Sequence, residues 1–177
     1  MSKKINTKML CTEAIMAALF VVFDILATNF SGVFGGNIKI SLSGLPIIIC
    51  SILFGPVSGM LVGLVGAFVS QMITYGITAT TVLWILPAVA RGLITGCLFI
   101  AFGRKLNFGY ITLITIISSI VITALNTLVG YIDSRVYGYP YAVFAMTTLT
   151  RFLTGVATAV VYSIILVPII KELKKHI

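Results

Sequence analysis

Two arginines, Arg91 and Arg151, stand deep inside long apolar runs of a chain that holds only 12 Lys and Arg and 4 Asp and Glu in 177 residues. Each lies about ten residues from the end of its run, roughly 15 Å along a helix rising 1.5 Å per residue. A charge at such depth in hydrocarbon costs at least about 2.5 kcal/mol even on a lenient insertion scale, so it must face a partner or a wet cavity. A guanidinium is a rigid fork that holds a carboxylate through two parallel hydrogen bonds. Two chemistries therefore fit each arginine: pairing with an acid of the protein, or reception of an anionic ligand.

Counting the acids favours a ligand for one of them. Asp24 is the only acid expected in the same part of the chain's apolar segments, and Glu13 sits nearer the other end. Two arginines against one aspartate leave an uncompensated positive charge, so the expected ligand is an anion rather than a cation such as thiamine. Pro87, four residues before Arg91, removes one helical hydrogen bond and frees the Leu83 carbonyl, which predicts an opening beside Arg91. Arg91 is accordingly assigned to the ligand and Arg151 to Asp24. Trp84, the sole tryptophan, suits either an interfacial anchor or a ring stacked on ligand. The amides of Gln71 and Asn126 suit either interhelical hydrogen bonds or ligand contact.

Other chemistries are missing. No GxxxxGK[ST] run is present to cradle nucleotide phosphates. The single histidine, His176, lies in the tail, which removes HExxH zinc chemistry and histidine triads. Four acids in all leave a carboxylate proton relay implausible. Cys11, Cys50 and Cys97 have no paired spacing and read as small buried hydrophobes. Neither an enzyme, a metal site nor a cofactor is expected. The net charge of +8 lacks the aromatic interleaving and basic stripe of a nucleic-acid surface.

The elements that must hold these residues follow from composition. The chain is 59% hydrophobic and 9% charged, against roughly 25% charged in soluble domains, so the bilayer is the solvent. Apolar runs predict helices over Thr7–Asn29, Gly44–Phe54, Val57–Tyr75, Thr81–Phe102, Gly109–Tyr131 and Tyr141–Ile170. Gly55-Pro56 breaks the second from the third. The stretches Phe30–Ser43 and Ile132–Pro140 read as loops, and the second run is too short to cross unless Ile38–Leu42 extends it. The expectation is one all-α membrane domain over residues 1–177, with six transmembrane helices. Lys3, Lys4, Lys8, Arg104, Lys105, Lys171, Lys174 and Lys175 would share one side against Lys39 and Arg135 on the other. The positive-inside rule then puts both termini in the cytoplasm. Lysines before the first run resemble a signal peptide, but Glu13, Asp24 and the run's length argue against cleavage.

Small residues four apart let helices approach closely in lipid. Ala14 and Ala18, with Ala17 beside them, form such a face on the first helix. Gly55, Gly59 and Gly63 repeat the spacing in the third, and Gly92 and Gly96 in the fourth.

With the Ala14–Ala18 pair, the run IKISLSGLPIIICSILFGPVSGMLVGLVGAFVSQ from Ile38 to Gln71, and Asn126-Thr127, the chain resembles the substrate-capture (S) subunits of energy-coupling-factor (ECF) vitamin importers. The similarity extends over essentially the whole length. The Lys39-Ile40…Pro46…Leu53-Phe54-Gly55-Pro56 pattern is closest to the folate and pantothenate branch. The resemblance implies a vitamin bound near the outer face, with Lys39 among the candidate contacts. It implies a prokaryotic plasma membrane, a shared transmembrane coupling subunit docked on Ala14, Ala17 and Ala18, and two cytoplasmic ATPases supplying energy. Pantothenate, with one carboxylate, suits the one excess arginine better than folate. The competing expectation is a self-sufficient secondary transporter or channel, which would move substrate alone in liposomes where a capture subunit only binds it. A small membrane enzyme is disfavoured by the missing acid, histidine and metal clusters.

Overall fold

A computed structural model describes residues 7–33, 41–140 and 142–173, with the side chains of all but 31–33 and 142–151. Its six helices are α1 (Thr7–Val33), α2 (Gly44–Leu53), α3 (Pro56–Tyr75), α4 (Thr81–Ala101), α5 (Phe108–Tyr137) and α6 (Ala142–Leu173). No strand occurs among the described residues. Five of the helices are long and apolar enough to cross a bilayer, and α2, at ten residues, is not. The all-α membrane fold expected from composition is the fold observed.

Proline at the first position of α3 suits a helix start, where its missing amide would have had no partner anyway. The end of α5 is set by Gly138, whose left-handed φ of 73° closes the last turn, its N–H donating to the Ser134 carbonyl at 2.9 Å. Two boundaries differ from expectation. Helix α1 continues to Val33, and α5 runs through the predicted loop from Ile132 as far as Tyr137. Charged and polar residues in IDSRVY suggested a loop, yet none of them breaks a helix.

Glycine spacing brings α3 and α4 together. A Cβ at Gly92 would collide with the Gly59 carbonyl, and one at Gly63 would lie 2.6 Å from the Ala88 carbonyl oxygen. These backbones touch because nothing stands between them, so the glycine pattern packs the protein internally. Ser51 ties α2 to the same pair, its hydroxyl lying 2.9 Å from the Gly92 carbonyl.

Two apolar clusters meet at α2. One joins Leu45, Ile48, Ile49 and Ile52 to Phe99, Ile111 and Leu166, and the other joins Ile47 and Cys50 to Phe20, Val62 and Ile85. The first lies toward the half of the bundle that holds the C-terminal ends of α4 and α6, here termed the basic end, and the second reaches as far up as Ile85, four residues into α4. The other half, the mouth end, carries Tyr75, Thr81 and Tyr137. Exposed Leu10, Ile15, Val22 and Leu26 give α1 an apolar outer surface. Cys50 is buried, whereas Cys11 and Cys97 are exposed. The expectation of three buried cysteines therefore holds for one, because the other two sit on outward faces of α1 and α4.

Candidate functional site

The start of α2 fixes the depth of the site. A Cβ on Gly44 would collide with Arg91 Nη1 and the Tyr162 ring. Arg91 is ten residues into α4, so α2 begins roughly 15 Å below the mouth-end terminus of that helix. It fills the basic half of the bundle and leaves a cavity of about 710 Å³ above it, lined from all six helices. That size lies within the usual range for a small-molecule site, roughly 300–1,000 Å³.

The lining residues follow helical faces. On α4 they are Trp84, Pro87, Ala88 and Arg91, spaced i, i+3, i+4, i+7. On α5 they run from Thr115 through Ser118, Ser119, Thr123 and Asn126 to Asp133, all on one face. Thr115 and Asp133 are five turns apart, about 27 Å along the helix. Asp24 and Thr28 come from α1, Ser70 and Gln71 from α3, Thr154, Thr158 and Tyr162 from α6.

The floor is positive. The Tyr162 hydroxyl accepts from the Gly44 N–H at 3.2 Å and donates to the Ser41 carbonyl. Arg91 is within hydrogen-bonding reach of the same hydroxyl. Arg91 is half-buried and forms no ion pair with another described residue. The Gly44 and Leu45 amides at the start of α2 are taken by the Tyr162 hydroxyl and the Leu42 carbonyl, so the helix end contributes its partial positive charge, which favours anions, rather than free donors. Asp24 stands higher on α1, where it accepts from Ser70 Oγ at 2.6 Å.

A second cluster sits at the mouth. Asp133 Oδ2 accepts from the Tyr139 hydroxyl at 2.6 Å and Oδ1 from Trp84 Nε1 at 3.4 Å, and Thr80 also bonds its carboxylate. One carboxylate thus ties the ends of α4 and α5 to the turn entering α6. The Trp84 indole lines the cavity wall near its mouth.

Five of the seven predicted ligand residues line this one cavity: Arg91, Asp24, Trp84, Gln71 and Asn126. Gln71 and Asn126 present amides unengaged by any other described residue. Lys39 lies outside the described residues, and so does the side chain of Arg151, whose backbone belongs to α6. Of the predicted partner face, Ala14 and Ala18 are exposed on α1, while Ala17 is 7% exposed and packs in the core. That corrects Ala17, since the helix turns it inward between its two neighbours. Sequence reasoning missed Tyr162, Ser41, Ser70 and Asp133. A tyrosine within an apolar run reads as core, and Asp133 was assigned to a loop, which left it out of the charge count. The hydroxyl face of α5 at i, i+3, i+4, i+8 was a usable signal.

The family model of the ECF-type riboflavin transporter, S component, matches residues 4–175. Two UPF0397 proteins of Staphylococcus aureus, from strains JH9 and Newman, are each 28% identical over 176 residues, covering 92% of this chain and 89% of theirs. No solved structure matches the chain significantly.

Proposed function

The chain belongs to the ECF-type riboflavin transporter S component family, and from that premise we propose that it captures a carboxylate-bearing water-soluble vitamin in the α1–α6 cavity. With five apolar spanning helices, it is a multi-pass protein of the bacterial plasma membrane, and its family is one of transporter components rather than catalysts. The observation that carries the substrate class is the convergence of Arg91 and the N-terminus of α2 on the cavity floor. The guanidinium supplies a charged fork and the helix end a fixed positive dipole, and both favour an anion. An anionic group seated there would pair with the guanidinium and be favoured by the dipole. Pantothenate is the first choice and folate the second. Energy would come from a transmembrane coupling subunit and two cytoplasmic ATPases, with both termini of this chain facing them.

Riboflavin is the second reading. The family's description favours it, and the wall offers the Trp84 indole and several tyrosines to a flat ring. Titration of the purified chain with pantothenate, panthenol, folate and riboflavin separates the readings. The anionic reading expects pantothenate to bind at least about tenfold more tightly than panthenol, its alcohol counterpart. Preference for riboflavin, or equal binding of panthenol, would replace it.

A further inference from the structure

The α5–α6 wall of the cavity holds three hydroxyls whose protons are already engaged. Ser119 Oγ donates to the Gly155 carbonyl at 2.8 Å, Thr123 Oγ1 to the Ser119 carbonyl at 2.9 Å, and Thr158 Oγ1 to the Thr154 carbonyl at 2.6 Å. Thr115, by contrast, is 2% exposed and its hydroxyl is engaged by Ser163 Oγ at 2.9 Å as well as by backbone carbonyls, so it is spent inside the protein. A hydroxyl has one proton and two lone pairs. With the proton directed at backbone, each of the other three offers the cavity an acceptor. The opposite holds at the floor, because a guanidinium has five donors and no acceptor.

The cavity is therefore polarised in hydrogen-bonding sense as well as in charge. We propose that the α5–α6 wall is a subsite for a ligand chain bearing hydroxyl or amide donors, oriented by Arg91 holding the acceptor group of the same molecule. This rests on the cavity being the vitamin site and adds a second requirement to it. A ligand with a carboxylate alone would leave the wall acceptors facing an apolar surface, where polar groups without partners are costly. A donor-bearing chain meets Ser119, Thr123 and Thr158 in turn without asking any of them to release its own bond.

The wall has a test independent of the floor. Pantothenate has two hydroxyls and an amide N–H. An N-acyl-β-alanine of the same shape without the hydroxyls keeps the carboxylate and amide, and panthenol keeps the hydroxyls but not the carboxylate. The parent protein should bind pantothenate at least about tenfold more tightly than the hydroxyl-free analogue. Thr123→Val and Thr158→Val should each weaken pantothenate several-fold yet leave the hydroxyl-free analogue unchanged, and Thr123→Ser should bind like the parent. Equal weakening of both ligands would assign these threonines to packing and overturn the inference, as would unchanged pantothenate binding. If panthenol matches pantothenate on the parent while the valine variants still discriminate, the anionic reading falls and the wall stands. If pantothenate does not bind the parent, riboflavin against lumichrome, its ring without the hydroxylated chain, asks the same question. A parent that binds neither hydroxylated probe overturns the inference together with the reading beneath it.

Discussion

At the scale of single residues, Arg91 carries most of the account. Its cost at mid-depth is offset by the Tyr162 hydroxyl and by the cavity beside it, and the proposed anion would complete its bonding. Arg91→Met should remove a charge-assisted contact on the order of 1.5–3 kcal/mol, which is about 10- to 150-fold in dissociation constant. Arg91→Lys should recover only part, because a point charge cannot reproduce the fork. Isothermal titration of both variants checks this, and full affinity in the methionine variant would detach Arg91 from the ligand. Arg151→Met is expected instead to lower folded yield, as its assignment to Asp24 requires. Gly44 also belongs to this scale, because any side chain there would displace Arg91 and Tyr162 together.

At the scale of elements, the half-depth helix α2 makes the site, and the packing of α3 on α4 holds its wall. Gly92→Val should destabilise the protein by about 1–3 kcal/mol through overpacking against Gly59, read as a lower unfolding temperature in detergent. Gly109→Ala, where a Cβ meets nothing within 4 Å, serves as the neutral control. At the mouth, Asp133→Ala strands Trp84 Nε1 and the Tyr139 hydroxyl, so ligand should dissociate several-fold faster. Because Trp84 is the sole tryptophan, its fluorescence follows ligand in stopped flow, and an unchanged off-rate would relieve Asp133 of any role there. Much of this arrangement was legible in the sequence. Trp84, Pro87 and Arg91 fall on one face by spacing alone, and the cost of a buried charge pointed that face at a cavity. What was not legible depended on neighbours far along the chain. Nothing local says that Tyr162 meets Gly44 across 118 positions, or that a ten-residue helix stops at mid-depth instead of being extended to span. Asp133 was misplaced because polar residues at a helix end and in a loop look alike when no proline or glycine intervenes before Gly138.

At the scale of the whole molecule, the described residues enclose one large cavity lined from all six helices, as a capture subunit would require. On α1, Ala14 and Ala18 are exposed whereas Ala17 is packed inside, which leaves the first two free for the coupling role proposed for them. Ala14→Leu or Ala18→Leu should leave vitamin binding intact and abolish ATP-driven uptake in vesicles containing the full importer, because bulk there blocks close helix approach. Lost binding in an otherwise folded variant would assign these alanines to the protein's own packing. The most direct measurement of the central claim is mass spectrometry of the small molecule that copurifies with the chain, compared between the parent and Arg91→Met. The account predicts one carboxylate-bearing vitamin per chain in the parent and its loss from the variant. An uncharged ligand retained equally by both would contradict it.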